Sequence, residues 1–137
     1  MTRVYIQAGL RRVVYKRAGG KCEYCLLQED DTSFTHHYEH VIPLRHGGAT
    51  TANNLALACL ECNLAKGTDL TTFDPLDGNI TRLFSPRTDQ WDEHFELKNA
   101  MIEGKTAIGR ATVYFLRFND PLRMIQRQAL IRIGRYP

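Results

Sequence analysis

The sequence predicts an α+β fold stapled by a metal ion, with helices on either side of a small strand-rich centre. Three observations lead there. All four cysteines of the 137-residue chain fall in two pairs of one form, CEYC at 22–25 and CLEC at 59–62. Between the pairs lie TSFTHHYEHVIP, rich in β-branched and aromatic residues, and NLALAC, a second short strand pattern that runs into the helical ECNLAKG. Outside this centre apolar residues recur at helical spacing, and the length suits one domain, residues 1–137, around one core.

Taken in order, the first element is a helix from about residue 7 to 18. Leu10, Val14 and Ala18 share one face, Arg12 and Lys16 stand on another, and Gly19-Gly20 ends the pattern. After the first cysteine pair a strand is expected over about 35–42, closed by Pro43. The loop LRHGGATTANN leads to the strand NLALAC and to a helix of two turns with Gly67 near its C-terminus. The turn-rich TDLTTFDPLDGN is expected to be irregular. HFELKNAMIEG reads as a hairpin turning at Lys98 and Asn99. TAIGRATVYFLRF has Thr106 as N-cap and helical apolar spacing through Ile108, Ala111, Phe115 and Phe118, in spite of an interior glycine. The last helix starts at Pro121, a residue suited to a first turn, with Leu122, Ile125, Ala129 and Ile133 along one face and Arg123 and Arg127 along another. These C-terminal elements are expected to wrap and complete the core.

The formal net charge is only +3, but it is unevenly spread. Arg3, Arg11, Arg12, Lys16, Arg17 and Lys21 precede any acid, and Arg117, Arg123, Arg127, Arg132 and Arg135 crowd the C-terminal end against Asp120 alone. Such ends are most often solvated helix faces; they also suit a polyphosphate, with Arg12 and Lys16 as the contacts. MTRVYIQAGLRR lacks the apolar run of a secretory signal and no stretch approaches a membrane span, so a cytoplasmic protein without membrane insertion is expected.

In a reducing compartment, paired CxxC elements read first as thiolate ligands, since two intervening residues let a tight turn aim both sulfurs at one ion. A lone pair also suits redox chemistry, and an isolated cysteine is commonly a small buried hydrophobe. The repeated spacing, which uses every cysteine, favours structural zinc held by Cys22, Cys25, Cys59 and Cys62. Of the five histidines, His36, His37, His40 and His46 cluster in the centre. Taken alone, His36 and His37 are polar strand residues and His94 is structural, while His46 and Lys66 either reach phosphates or face solvent.

Together, CEYC, YEHVIPLRHGG, NNLALAC and CLECNLAKG resemble the HNH endonuclease family, in its branch with a four-cysteine zinc site. The resemblance covers about residues 20–70, leaving about 71–137 as a C-terminal elaboration in which LFSPRTDQWDEHF and IGRATV resemble small stand-alone bacterial HNH proteins. It implies a ββα-metal core, a two-stranded hairpin packed on a helix with one catalytic ion, Mg²⁺ or Mn²⁺, in the cleft. By motif His40 would be the general base, Asn54 would fix the loop, and Glu39 and Asn63 would hold the ion. Asn63 stands where histidine is common, making an H-N-N variant, and Glu39 where aspartate is common. Because side chains alternate along a strand, a twist or bulge is expected to bring Glu39 and His40 into one cleft. The implied activity is metal-dependent DNA endonuclease cleavage leaving 5′-phosphate and 3′-hydroxyl ends, by a monomer or homodimer. The alternative is a zinc-stabilised nucleic-acid-binding module without catalysis.

Overall fold

A computed structural model describes residues 4–137; Arg3, counted above in the basic N-terminal run, lies outside them. Helix α1 (Ala8–Ala18) ends where expected, with Gly19 in the left-handed region at φ 63°. Its buried Val14 packs on Leu55 and Leu57, with Leu10 and Ala18 beside it. This leaves Arg11, Arg12 and Lys16 exposed.

Strand β1 (His37–His40) pairs antiparallel with β2 (Leu55–Ala58), and α2 (Leu60–Lys66) follows at once. The register runs without interruption from His37 opposite Ala58 to His40 opposite Leu55. No bulge intervenes, so the expected irregularity is absent from the strand itself. β2 is buried at all four positions because α1 covers it on one side and the cysteine cluster lies at its end. Both edges of the β1–β2 connection show why the HGG motif carries its glycines. Gly47 sits at φ 86°, and a Cβ on Gly48 would stand 1.7 Å from the carbonyl oxygen of Ile42. A side chain at residue 48 would therefore force the loop open.

The stretch expected to be irregular instead carries the first strand and the turn of a hairpin. β3 (Thr71–Phe73) and β4 (Ile80–Arg82) form a hairpin, closed by Asp74, whose carboxylate takes two hydrogen bonds from Arg110 at 3.1 and 2.8 Å. The turn residues were legible, but three-residue strands are too short to give a period. A short helix, α3 (Trp91–His94), leads into β5 (Phe95–Lys98) and β6 (Met101–Gly104). The turn of that hairpin falls at Asn99-Ala100, one residue later than expected, with Asn99 at φ 54°. In α4 (Ala107–Phe115) the Thr106 hydroxyl caps the N-terminus by accepting from the Gly109 N–H at 3.0 Å. The glycine that looked like a flaw is required by packing, because a Cβ there would lie 1.9 Å from the His94 carbonyl oxygen. The helix stops three residues short of Phe118, where Arg117 turns to φ 54°.

Helix α5 (Pro121–Arg132) begins at its proline, but its inward face differs from the apolar one. Arg123 and Arg127 are buried, while Leu122, Ile125 and Ile133 are 81, 62 and 67 % exposed. Hydrophobicity alone would have turned the helix the other way. No helix among the described residues is long and apolar enough to cross a membrane.

The larger core gathers the cysteines with Tyr24, Leu27, Phe84, Phe95, Ile102, Leu116 and Phe118. Residues far along the chain also satisfy the backbone of the first cysteine knuckle. Trp91 Nε1 donates to Tyr24 O at 2.8 Å, the Tyr136 hydroxyl donates to Cys25 O at 2.6 Å, and Arg87 pairs with Glu23. The C-terminal elements thus complete the core as expected, but they do so by enclosing the cysteine cluster.

Candidate functional site

Two tight turns bring the four sulfurs together at the junction of β2 and α2. All lie within 4.8 Å of one another, all four residues are buried, and none forms a disulfide. The Cys25 and Cys59 sulfurs are 3.6 Å apart. Tetrahedral zinc with bonds of about 2.3 Å sets its sulfurs about 3.8 Å apart, so the cluster has the size of the ion. Each pair repeats one local geometry: Cys22 Sγ accepts from the Cys25 N–H at 3.4 Å, and Cys59 Sγ from the Cys62 N–H at 3.5 Å. Bare sulfurs this close cannot all ionise. Hydrogen bonds from Cys22 and Cys59 hold the Cys25 thiol below its ordinary value, the same kind of contact with Cys22 and Cys25 pushes Cys59 up, and burial pushes Cys62 up. A cation removes the conflict, and the donor set of four thiolates suits zinc.

On the neighbouring hairpin the predicted residues separate into two groups. Glu39 is only 6 % exposed and its carboxylate lies 2.7 Å from Nζ of Lys66, itself 2 % exposed. The Lys66 ammonium also donates to Val41 O at 3.1 Å. This corrects the expectation that Lys66 reaches out to phosphate: its place on α2, one turn after Asn63, turns it into the interior, where only a buried carboxylate can offset its charge. It also changes the standing of Glu39, which is half of an ion pair and not an open ligand. Burial raises its pKa and the Lys66 charge opposes that rise. Glu39 therefore holds its carboxylate against the Lys66 ammonium with both oxygens short of a well-aligned donor among the described residues.

Removing one member of this pair is expected to cost more than removing both. Lys66→Met should destabilise the fold by about 3–5 kcal/mol, since it leaves a buried carboxylate uncompensated, whereas Glu39→Gln with Lys66→Met should recover most of the loss. Chemical denaturation of the three proteins reads this directly. Added Mn²⁺ should restabilise Lys66→Met more than the parent; equal responses would remove Glu39 from the ion site.

His40 ends β1 and turns to the loop. Its Nε2 lies 2.9 Å from the Thr50 hydroxyl, leaving Nδ1 without a protein partner among the described residues. Burial lowers its pKa below the usual imidazole value, so the ring is neutral at physiological pH. No hydrogen bond among the described residues joins His40 to Glu39 or Asn63; the regular strand sends adjacent side chains to different partners. Asn54 ties the loop shut. Its Oδ1 accepts from Ile42 N–H, and its Nδ2 donates to Ile42 O and Ala49 O, each at 2.9 Å. Thr50 was missed by sequence reasoning, because a threonine in a loop of threonines carries no pattern.

The remaining histidines are distributed by packing. His36 is buried, with Nε2 at 2.8 Å from Leu27 O, so it braces the first cysteine knuckle and is no ordinary strand residue. His37 is exposed, and His94 bonds the Thr106 hydroxyl at 2.7 Å. His46 is exposed, with Nε2 2.9 Å from Thr68 O. Arg12 and Lys16 line a shallow groove of about 510 Å³ with Arg11, Tyr15 and Tyr38, and Arg17 staples α1 to the loop through Ala52 O and Leu55 O at 2.9 and 2.7 Å.

A hairpin, a short helix and a four-cysteine centre at their junction are the features of the segment that the sequence comparison picks out: residues 22–69 match the family described as HNH endonuclease. A curated relative, the Septu protein PtuB of Bacillus thuringiensis, is 27 % identical over 124 residues, covering 89 % of this chain and 46 % of its own length. The chain therefore spans about half the length of that relative.

Proposed function

We propose that this chain is a metal-dependent DNA endonuclease in which His40 is the general base and Glu39 and Asn63 hold the catalytic ion. The observation that carries the reading is the placement of His40, an imidazole held at Nε2 by the Thr50 hydroxyl at 2.9 Å, with Nδ1 free of any partner among the described residues. If Nε2 donates to Thr50, Nδ1 keeps its lone pair and takes the proton of the attacking water. The water oxygen bonds to phosphorus as the bond to the 3′ oxygen breaks, giving a 5′-phosphate and, after protonation, a 3′-hydroxyl. A Mg²⁺ or Mn²⁺ ion, when bound, supplies positive charge at the phosphoryl and leaving oxygens. Glu39 and Asn63 offer it oxygen ligands once the Lys66 ammonium gives up the carboxylate. Asn54 acts at a distance from the chemistry by holding the loop that carries Thr50. The exposed row of Arg11, Arg12 and Lys16 supports contact with the phosphate backbone, and His46 is a further exposed basic residue on the loop.

Supercoiled plasmid incubated with the full chain and Mg²⁺ or Mn²⁺ tests the reading. Nicked or linear products with 5′-phosphate ends are expected, and none with chelator. Tight DNA binding without strand scission in either metal would favour the non-catalytic binding module.

A further inference from the structure

We propose that Arg123 and Arg127 are the counter-charges of the zinc centre, so that Arg123 sets the affinity for the metal and the metal in turn holds α5 in place. Zinc bound by four thiolates carries a net charge of −2, and the two arginines on the inner face of α5 bring +2 to the same buried region. Arg123 Nη2 lies 3.1 Å from Cys62 Sγ and 3.9 Å from Cys59 Sγ. Its Nη1 donates to the carbonyls of Leu116 and Arg117 at 2.7 and 3.1 Å, which close the end of α4, and the guanidinium stands 5.7 Å from the centre of the Phe118 ring. One turn later, Arg127 donates from Nε to Ala100 O at 2.7 Å and from Nη2 to Asn119 Oδ1 at 2.8 Å.

Hydrogen bonds to neutral carbonyls satisfy the donors of these groups but leave their charge. Among the described residues neither arginine pairs with a carboxylate. Two like charges buried beside one another are strongly unfavourable unless an anion lies near, and the cysteine cluster is the anion within reach. The same balance explains why α5 turns Leu122, Ile125 and Ile133 to solvent: the thiolates select the arginine face against the pull of the apolar one. A chain without the metal no longer holds four thiolates at one point, and α5 is left with two uncompensated cations inside.

The test is the zinc concentration at which the full chain is half folded, a quantity defined even for a variant that is unfolded without metal. Arg123→Gln, neutral but still a donor, is expected to need about 10–100-fold more zinc than the parent, the usual range for a lost second layer of ligand contacts. Arg123→Lys should recover most of that loss, and Arg132→Gln, on the exposed side of α5, should match the parent. Amide exchange at a fixed intermediate zinc level should rise in α5 before α4 in Arg123→Gln. An unchanged half-folding concentration in Arg123→Gln overturns the proposal, as does Arg123→Lys proving as weak as Arg123→Gln, which would make the arginine a shape and not a charge.

Discussion

Replacing Cys22 by serine is expected to remove the folded state, not to trim activity. Structural zinc contributes about 10–16 kcal/mol to folding in small zinc domains, comparable to the roughly 5–15 kcal/mol by which whole domains are stable. Here the effect is enlarged by position. The knuckle around Cys22 holds Leu57 through Glu23 Oε2 at 2.8 Å, and its carbonyls receive Trp91 and Tyr136 from the far end of the chain. Loss of the ion therefore releases the hairpin and the C-terminal elements together. Circular dichroism and metal analysis should find Cys22→Ser unfolded and free of zinc, and the parent should follow it when stripped by a strong chelator. A zinc-free variant with the parent's melting temperature would show that the cysteines act as packing alone.

His40→Ala should behave in the opposite way, abolishing cleavage while sparing the fold. Positioned proton transfer is worth about 10²–10⁴-fold in rate, and among the described residues the only side-chain hydrogen bond lost is that to Thr50. The pH dependence carries the mechanism. A base must be neutral, and burial places the His40 pKa below its ordinary value of about 6.5. Cleavage should therefore rise with pH through a limb on the acid side of the ordinary value and be level by neutrality. Thr50→Val should displace that limb and lower the rate, while Thr50→Ser, which keeps the hydroxyl, should retain both. Parental cleavage by a folded His40→Ala protein would assign the base elsewhere.

The centre of the fold was legible because its signals are local. Two CxxC turns, a strand closed by proline and a helix opened by a cysteine each need only a few neighbouring residues to be recognised. The bonds of Asn54 are similarly local, since the amide reaches back only twelve residues to Ile42. The β3–β4 hairpin and α3 escaped notice because elements of three or four residues give no period. Lys66 misled in a different manner. Its spacing on α2 is equally compatible with solvent and interior, and only the position of Glu39 on another element decides between them.

What the sequence by itself determined, then, was the cysteines that come together, the order strand, loop, strand, helix, and the residue types gathered at the hairpin. The tertiary structure decided which charges go inside. The arginines of α5 and the lysine of α2 are buried because anions supplied by distant segments meet them there, at Cys62 and at Glu39. Hydrophobic periodicity counts apolar surface along one element, whereas the energy of a buried charge depends on what stands within a few ångströms of it, and that neighbour is fixed only when the chain has folded.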